Sequence, residues 1–165
     1  MTLAITFDEM LRYTNGERDK WRTWLSDHSA ALDAAVQPGG RLPTVGKLID
    51  HIFLVERRHL QRLRGTALDT KTGLSGLNAP PLFDYGASVR RELEQFVAEL
   101  DDDVANEPRT FTVQSGGDFV LTPRKLLFHC LLHETRHWAQ IALAIRRGGL
   151  EPPGNHDLFY SKAFK

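Results

Sequence analysis

Apolar residues recur at three- and four-residue steps in four long stretches of this chain, the spacing of helices with one buried face. Thr6-Phe7-Asp8-Glu9 has the S/T-x-x-E order of a capping box, so the first helix begins near Phe7. Met10, Leu11, Trp21, Trp24, Leu25 and Leu32 give it an apolar side. Asn15-Gly16 is where it would break or bend, and QPGGRLP at 37–43 ends it. The second helix runs from about Val45 to Leu63 on Val45, Leu48, Ile49, Ile52, Val55, Leu60 and Leu63, and Gly65 stops it. Residues 66–83, rich in Gly, Pro, Asn and Ser, form a long connection to a third helix over about Tyr85 to Asp103. Val89, Leu93, Phe96, Val97 and Leu100 are the apolar positions of that helix.

The period then changes from that of a helix to that of a strand. In TFTVQSGGDFVL, Phe111 and Val113 alternate, Gly116-Gly117 turn, and Phe119 and Leu121 follow, which reads as a small β-hairpin or a pair of extended arms. It is too small to form a core alone. Thr122-Pro123 then offers a cap and a first-turn proline for a last helix that reaches Arg147 and ends at Gly148-Gly149. The tail LEPPGNHDLFYSKAFK is irregular, and its Leu158, Phe159 and Tyr160 are expected to pack back on the body. Four substantial helices in 165 residues imply one all-α domain over 1–165, a four-helix bundle.

Composition narrows the class of partner. Apolar residues at 41% with charged residues at 25% are ordinary for a globular domain. Basic and acidic residues number 21 each, so net charge gives no reason to expect nucleic acid or an anionic membrane. No stretch approaches the roughly 20 apolar residues of a membrane span. MTLAITFDEM lacks the basic and apolar regions of a signal peptide. Cys130 is the single cysteine, which excludes an internal disulfide and fits a cytoplasmic location.

The chemistry lies in HETRHWAQ, residues 133–140. On the last helix Leu126, Cys130, His133, His137, Ile141 and Ala144 follow at steps of three or four, so they form one stripe, expected to be the inward one. Two imidazoles thus occupy positions where apolar side chains are expected. Residues four apart on a helix are close enough for both rings to reach one ion. Two ligands are rarely enough, and His51, on the face the second helix should bury, is the best third candidate. A buried histidine pair that is simply hydrogen-bonded core is the plain alternative. His28, His59, His129 and His156 read as non-ligands, with His129 pointing away from the Cys130 line.

Read literally, His133-Glu134-Thr135-Arg136-His137 is also H-E-x-x-H, which would make Glu134 the general base of a zinc peptidase. The extended form of that motif fails, because position 140 is Gln140 and position 143 is Leu143. No upstream sheet is expected to line a peptidase cleft. The peptidase therefore ranks a distant second.

Longer segments carry a family resemblance. TVGKLIDHIFLVERRHLQRL resembles the second-helix segment of the DinB-like (DinB/YfiT-like) metalloenzymes, with their ligand histidine falling on His51. FTVQSGGDFVLTPRKLLFHCLLHETRHWAQIALAIRRGG resembles their strand-like approach and last helix, where H-x-x-x-H-x-x-Q falls on His133, His137 and Gln140. Departures surround the site: Glu134-Thr135-Arg136 and Trp138-Ala139 differ from residues common in the family. The resemblance implies a four-helix bundle with long crossovers, a divalent metal on three histidines, and a homodimer. Relatives include transferases and isomerases that use a low-molecular-weight thiol.

Zinc, nickel, iron and manganese all suit three imidazoles. Such an ion would draw the proton from a bound thiol, giving a nucleophile for an electrophilic small molecule, or from a bound water, giving a hydrolase. The residues allow both, and the resemblance favours thiol transfer. A metal-binding protein without turnover is the rival from another class. Gln140 would orient a ligand or bond a metal-bound group, and Arg136 would bind a carboxylate of a thiol cofactor. Cys130, one turn before His133, reads as inert core, with a fourth ligand as the alternative.

Overall fold

The computed structural model describes residues 4–74, 76–113 and 116–164. The first three residues of the N-terminal stretch, and Gln114 and Ser115 at the expected hairpin turn, lie outside the described residues. Helix α1 spans Phe7–Asp27, α2 Val45–Arg64, α3 Ala79–Ala98, a short α4 Asp102–Asn106, and α5 Pro123–Arg147. Strands β1, Arg109–Val113, and β2, Gly117–Leu121, pair antiparallel directly before α5, with Phe111 opposite Phe119. The chain is thus a four-helix bundle with a small hairpin, as its hydrophobic pattern predicts. No helix among the described residues is long and apolar enough to cross a membrane.

The ends of the helices follow local chemistry. Thr6 and Glu9 form a full capping box, each side chain bonding the other's backbone N–H. Thr44 and Thr122 cap α2 and α5 by accepting from Lys47 and Lys125 N–H groups. Gly65 closes α2 in the left-handed region, at φ 67°. Three expected boundaries are corrected. Helix α1 runs straight through Asn15-Gly16 and stops at Asp27; Leu32 sits instead in a separate 3₁₀ turn, Ser29–Asp33. Helix α3 starts at Ala79, because Pro80 and Pro81 stand in its first turn, where their missing N–H groups cost nothing. It ends at Ala98, and the acidic stretch beyond it forms α4 under the Asp101 cap.

Helix α5 packs mainly on α2, α2 on α3, and α1 on α3 and α5. Trp21, Leu25, Ile49, Ile52, Phe53, Leu82, Trp138, Ile141 and Ile145 fill one half of the core, with Trp138 stacked between Trp21 and Phe83. Leu60, Leu93, Phe111, Leu126 and Leu127 fill the other. The buried face of α5 is broader than the stripe the sequence suggested: Leu126, Cys130, Ile141 and Ala144 of that stripe are buried, and so are Leu127, Leu131, Glu134, Trp138 and Ile145. Trp138 takes the centre of the core. His133 and His137 are half-buried at the seam facing α2 rather than in the core.

Between the two core halves lies a buried charge quartet. Arg18, Glu56, Arg90 and Glu134, from four different helices, are each at most 6% exposed. Arg90 donates to both oxygens of Glu56 (2.9 Å each) and to Glu134 (2.7 Å), and Arg18 bridges Glu56 and Glu134. Burial opposes ionisation of Glu56, yet the Arg18 and Arg90 guanidiniums outweigh it and hold its carboxyl at about 2. Two cations against two anions leave the quartet neutral, which is how it tolerates burial.

Candidate metal centre

The cross-helix seam brings His51 from α2 together with His133 and His137 from α5. One nitrogen from each ring lies within 4.8 Å of the others, the one such group of His, Cys, Asp and Glu among the described residues. Nε2 of His133 and Nε2 of His137 are 3.0 Å apart. Two nitrogens bound tetrahedrally at zinc-type distances would be about 3.3 Å apart, so the pair is close to a ligand spacing. Nδ1 of His137 donates to Oε1 of Gln140 at 2.7 Å. That bond holds the proton on Nδ1 and turns the Nε2 lone pair toward His133. The donor set therefore fits a divalent first-row ion.

Electrostatics favour the neutral rings that ligation requires. Burial lowers His51 to about 4, with His137, Arg41 and Arg58 adding and Asp50 opposing. Burial lowers His133 to about 3, helped by His137 and His51. His137 is lowered by burial and by Arg136, against the Gln140 hydrogen bond. A cavity of about 380 Å³ opens beside His137, lined by Gln37, Leu42, Leu48, Gln140, Leu143 and Arg147 among others. The site is thus reachable and bordered by both apolar and polar groups.

The other histidines sort by position. His129 does not point away: its ring lies 5.7 Å from His133 and 5.3 Å from buried His59, continuing the row of imidazoles along the seam. His28 stacks on Trp24, and His156 stacks on Trp21 and hydrogen-bonds buried Glu17. Cys130 is buried, its thiol donates to the Leu126 carbonyl at 3.3 Å, and burial raises its pKa, so it is an inert core thiol. Arg136 is exposed on α5 beside the cluster.

Glu134 cannot serve as a peptidase base. Its Oε1 accepts from Arg18 (2.7 Å) and Trp138 (3.0 Å), and its Oε2 from Arg18 and Arg90 (2.7 Å each). Every lone pair is used inside the core, where Glu134 is fully buried while the imidazoles lie at the half-buried seam. The quartet escaped the sequence reading because each member looks like a solvated surface charge in its own helix. One signal was present: Glu134 sits between Leu131 and Trp138 at helical steps, and Glu56 between Phe53 and Leu60.

A helical bundle carrying three converging imidazoles at a helix–helix seam is the class these features define. The family model of the DinB family matches residues 1–163, and the chain belongs to that family. The crystal structure of a DinB-like protein from Bacillus cereus ATCC 10987 superimposes with a TM-score of 0.66 at 20% identity, covering 88% of this chain and 95% of that one. At that identity the likeness establishes a shared fold. No curated protein matches the chain.

Proposed function

We propose that His51, His133 and His137 hold one divalent metal ion and that the protein is a metal-dependent enzyme acting on a small molecule. The observation that carries this is the convergence of one nitrogen from each of three imidazoles, with His137 also lining an open cavity. Three neutral ligands would leave such an ion its full charge, and it would then acidify an entering thiol or water. Family membership supports thiol transfer as the reaction. In net terms the thiol sulfur bonds an electrophilic carbon, the leaving group departs with its electron pair, and the thiol proton is released.

The chain's own residues have separate parts in this reading. Gln140 positions His137 through its Nδ1 proton and acts on the chemistry through that ring. Leu42, Leu48 and Leu143 give the cavity apolar walls that displace water from the reacting atoms. Arg136, exposed one residue before His137, adds positive potential that favours a thiolate. A panel of epoxides and alkyl halides, offered with several cellular thiols to metal-loaded protein, tests the reaction. A carbon–sulfur product that requires both thiol and metal is expected. Turnover without thiol would overturn the transfer reading in favour of hydrolysis.

A further inference from the structure

Several arginines of this protein pair with carboxylates: Arg18 and Arg90 with Glu56 and Glu134, Arg22 with Asp84, Arg57 and Arg64 with Glu92. Others, such as Arg12 on the Ala163 carbonyl and Arg124 over the Phe128 ring, do not. Those around the histidine seam lack carboxylate partners among the described residues. Arg58 donates only to backbone carbonyls of Asp69 and Thr70. Arg147 lines the cavity beside His137, in which no carboxylate takes part, while its neighbour Arg146 faces Glu151. A cavity walled by Leu42, Leu48 and Leu143 with a free guanidinium at one end is built for an amphipathic anion.

We propose that Arg147 is the anion-binding end of the site, and that the ligand carries a carboxylate at the opposite end from the head group it presents to the histidines. This rests on the reading of the cluster as a metal site. Geometry sets the ligand's length. Ten residues separate His137 from Arg147, about 15 Å along the helix axis. Both side chains lean toward the helix N-terminus, but the arginine is the longer and reaches back further, leaving a gap of roughly 10–13 Å. The planar guanidinium can grip a carboxylate with two parallel hydrogen bonds, and the apolar walls accept the methylene chain between.

Two pairs of probes test the assignment. Mercaptohexanoate and mercaptohexanol share a thiol and a chain length and differ in terminal charge. Each is titrated into cobalt-loaded protein, with thiolate ligation read from the visible spectrum. The carboxylate is expected to bind roughly tenfold more tightly. Arg147→Gln should abolish that preference and leave the alcohol's affinity unchanged. Heptanoate and heptanol are titrated into metal-free protein, with amide chemical shifts read at Gln140 and Leu143. Heptanoate should shift them in the wild type and lose that effect in Arg147→Gln. If neither thiol ligates cobalt while heptanoate behaves in this way, the thiol reading falls and the anion end stands. Equal binding of the two thiols, a preference that survives Arg147→Gln, or no response to any probe overturns the proposal.

Discussion

Nδ1 of His137 donates a 2.7 Å hydrogen bond to Oε1 of Gln140, one turn further along the same helix. The bond fixes which nitrogen is free, so the seam holds an oriented imidazole rather than one that flips between tautomers. Gln140→Ala is expected to weaken metal affinity by roughly 10- to 100-fold, the usual effect of removing a partner that orients a ligand. Because Gln140 is exposed, the thermal midpoint of the metal-free protein should stay within a degree or two of wild type, on the order expected for a surface change. Competition with a chelator of known affinity measures the first effect. Unchanged affinity would show that the bond orients nothing of consequence.

The buried quartet makes a prediction about stability. Arg90→Met leaves Glu56 and Glu134 with only Arg18 between them, a net negative charge in the core. The expected loss is about 3–5 kcal/mol in urea unfolding. Any folded remainder should still bind metal, since Arg90 belongs to the quartet and not to the imidazole seam. A loss below about 1 kcal/mol would mean that solvent reaches the quartet. Incubation with casein should produce no fragments, because Glu134 is held by the arginines.

His59 sets an acid limit. Burial first, then Arg62 and His129, lowers it from 6.5 to about 3. Its folded pKa is depressed, so the unfolded chain takes up the proton first as pH falls. Stability is therefore full above about pH 6.5 and is lost progressively down to about pH 3. Between pH 7 and pH 5 this one group costs about 2 kcal/mol in the metal-free protein. His59→Leu should show a correspondingly smaller loss over the same interval. Equal losses in the two proteins would mean that His59 titrates normally.

Gly86 lies in α3 where Phe53 crosses it. A Cβ there would stand 2.8 Å from three carbons of the Phe53 ring, which also carries the Arg18 guanidinium on its face at 4.8 Å. Gly86→Ala should cost about 1–3 kcal/mol in chemical unfolding despite alanine's better helix propensity. A neutral or stabilising result would show that the ring moves aside freely.

Helices α2 and α5 were legible because their signals are local: a threonine cap, a regular apolar step and a glycine stop. The end of α1 was not, because neither glycine nor proline stands at Asp27 and the following 3₁₀ turn keeps Ala31 and Leu32 buried as a longer helix would. The early start of α3 was hidden by Pro80-Pro81, which read as loop yet suit a first turn. The proximity of His51 to His133 and His137 was inferable from two amphipathic faces, since each face must find the other. Which residue of α5 points most deeply inward depends on how Trp138 packs against Trp21 and Phe83, a tertiary fact absent from one helix's periodicity. For the same reason the contact between His129 and His59 had no sequence signal.

If His51, His133 and His137 bind one ion together, removing any one of them should release it. Elemental analysis of protein purified without a metal-affinity column, alongside His137→Ala prepared identically, tests this most directly. Close to one equivalent of zinc, nickel, iron or manganese is expected in the wild type and almost none in a folded variant. Equal occupancy in both, or a metal-free wild type that takes up no added ion, would contradict a shared site.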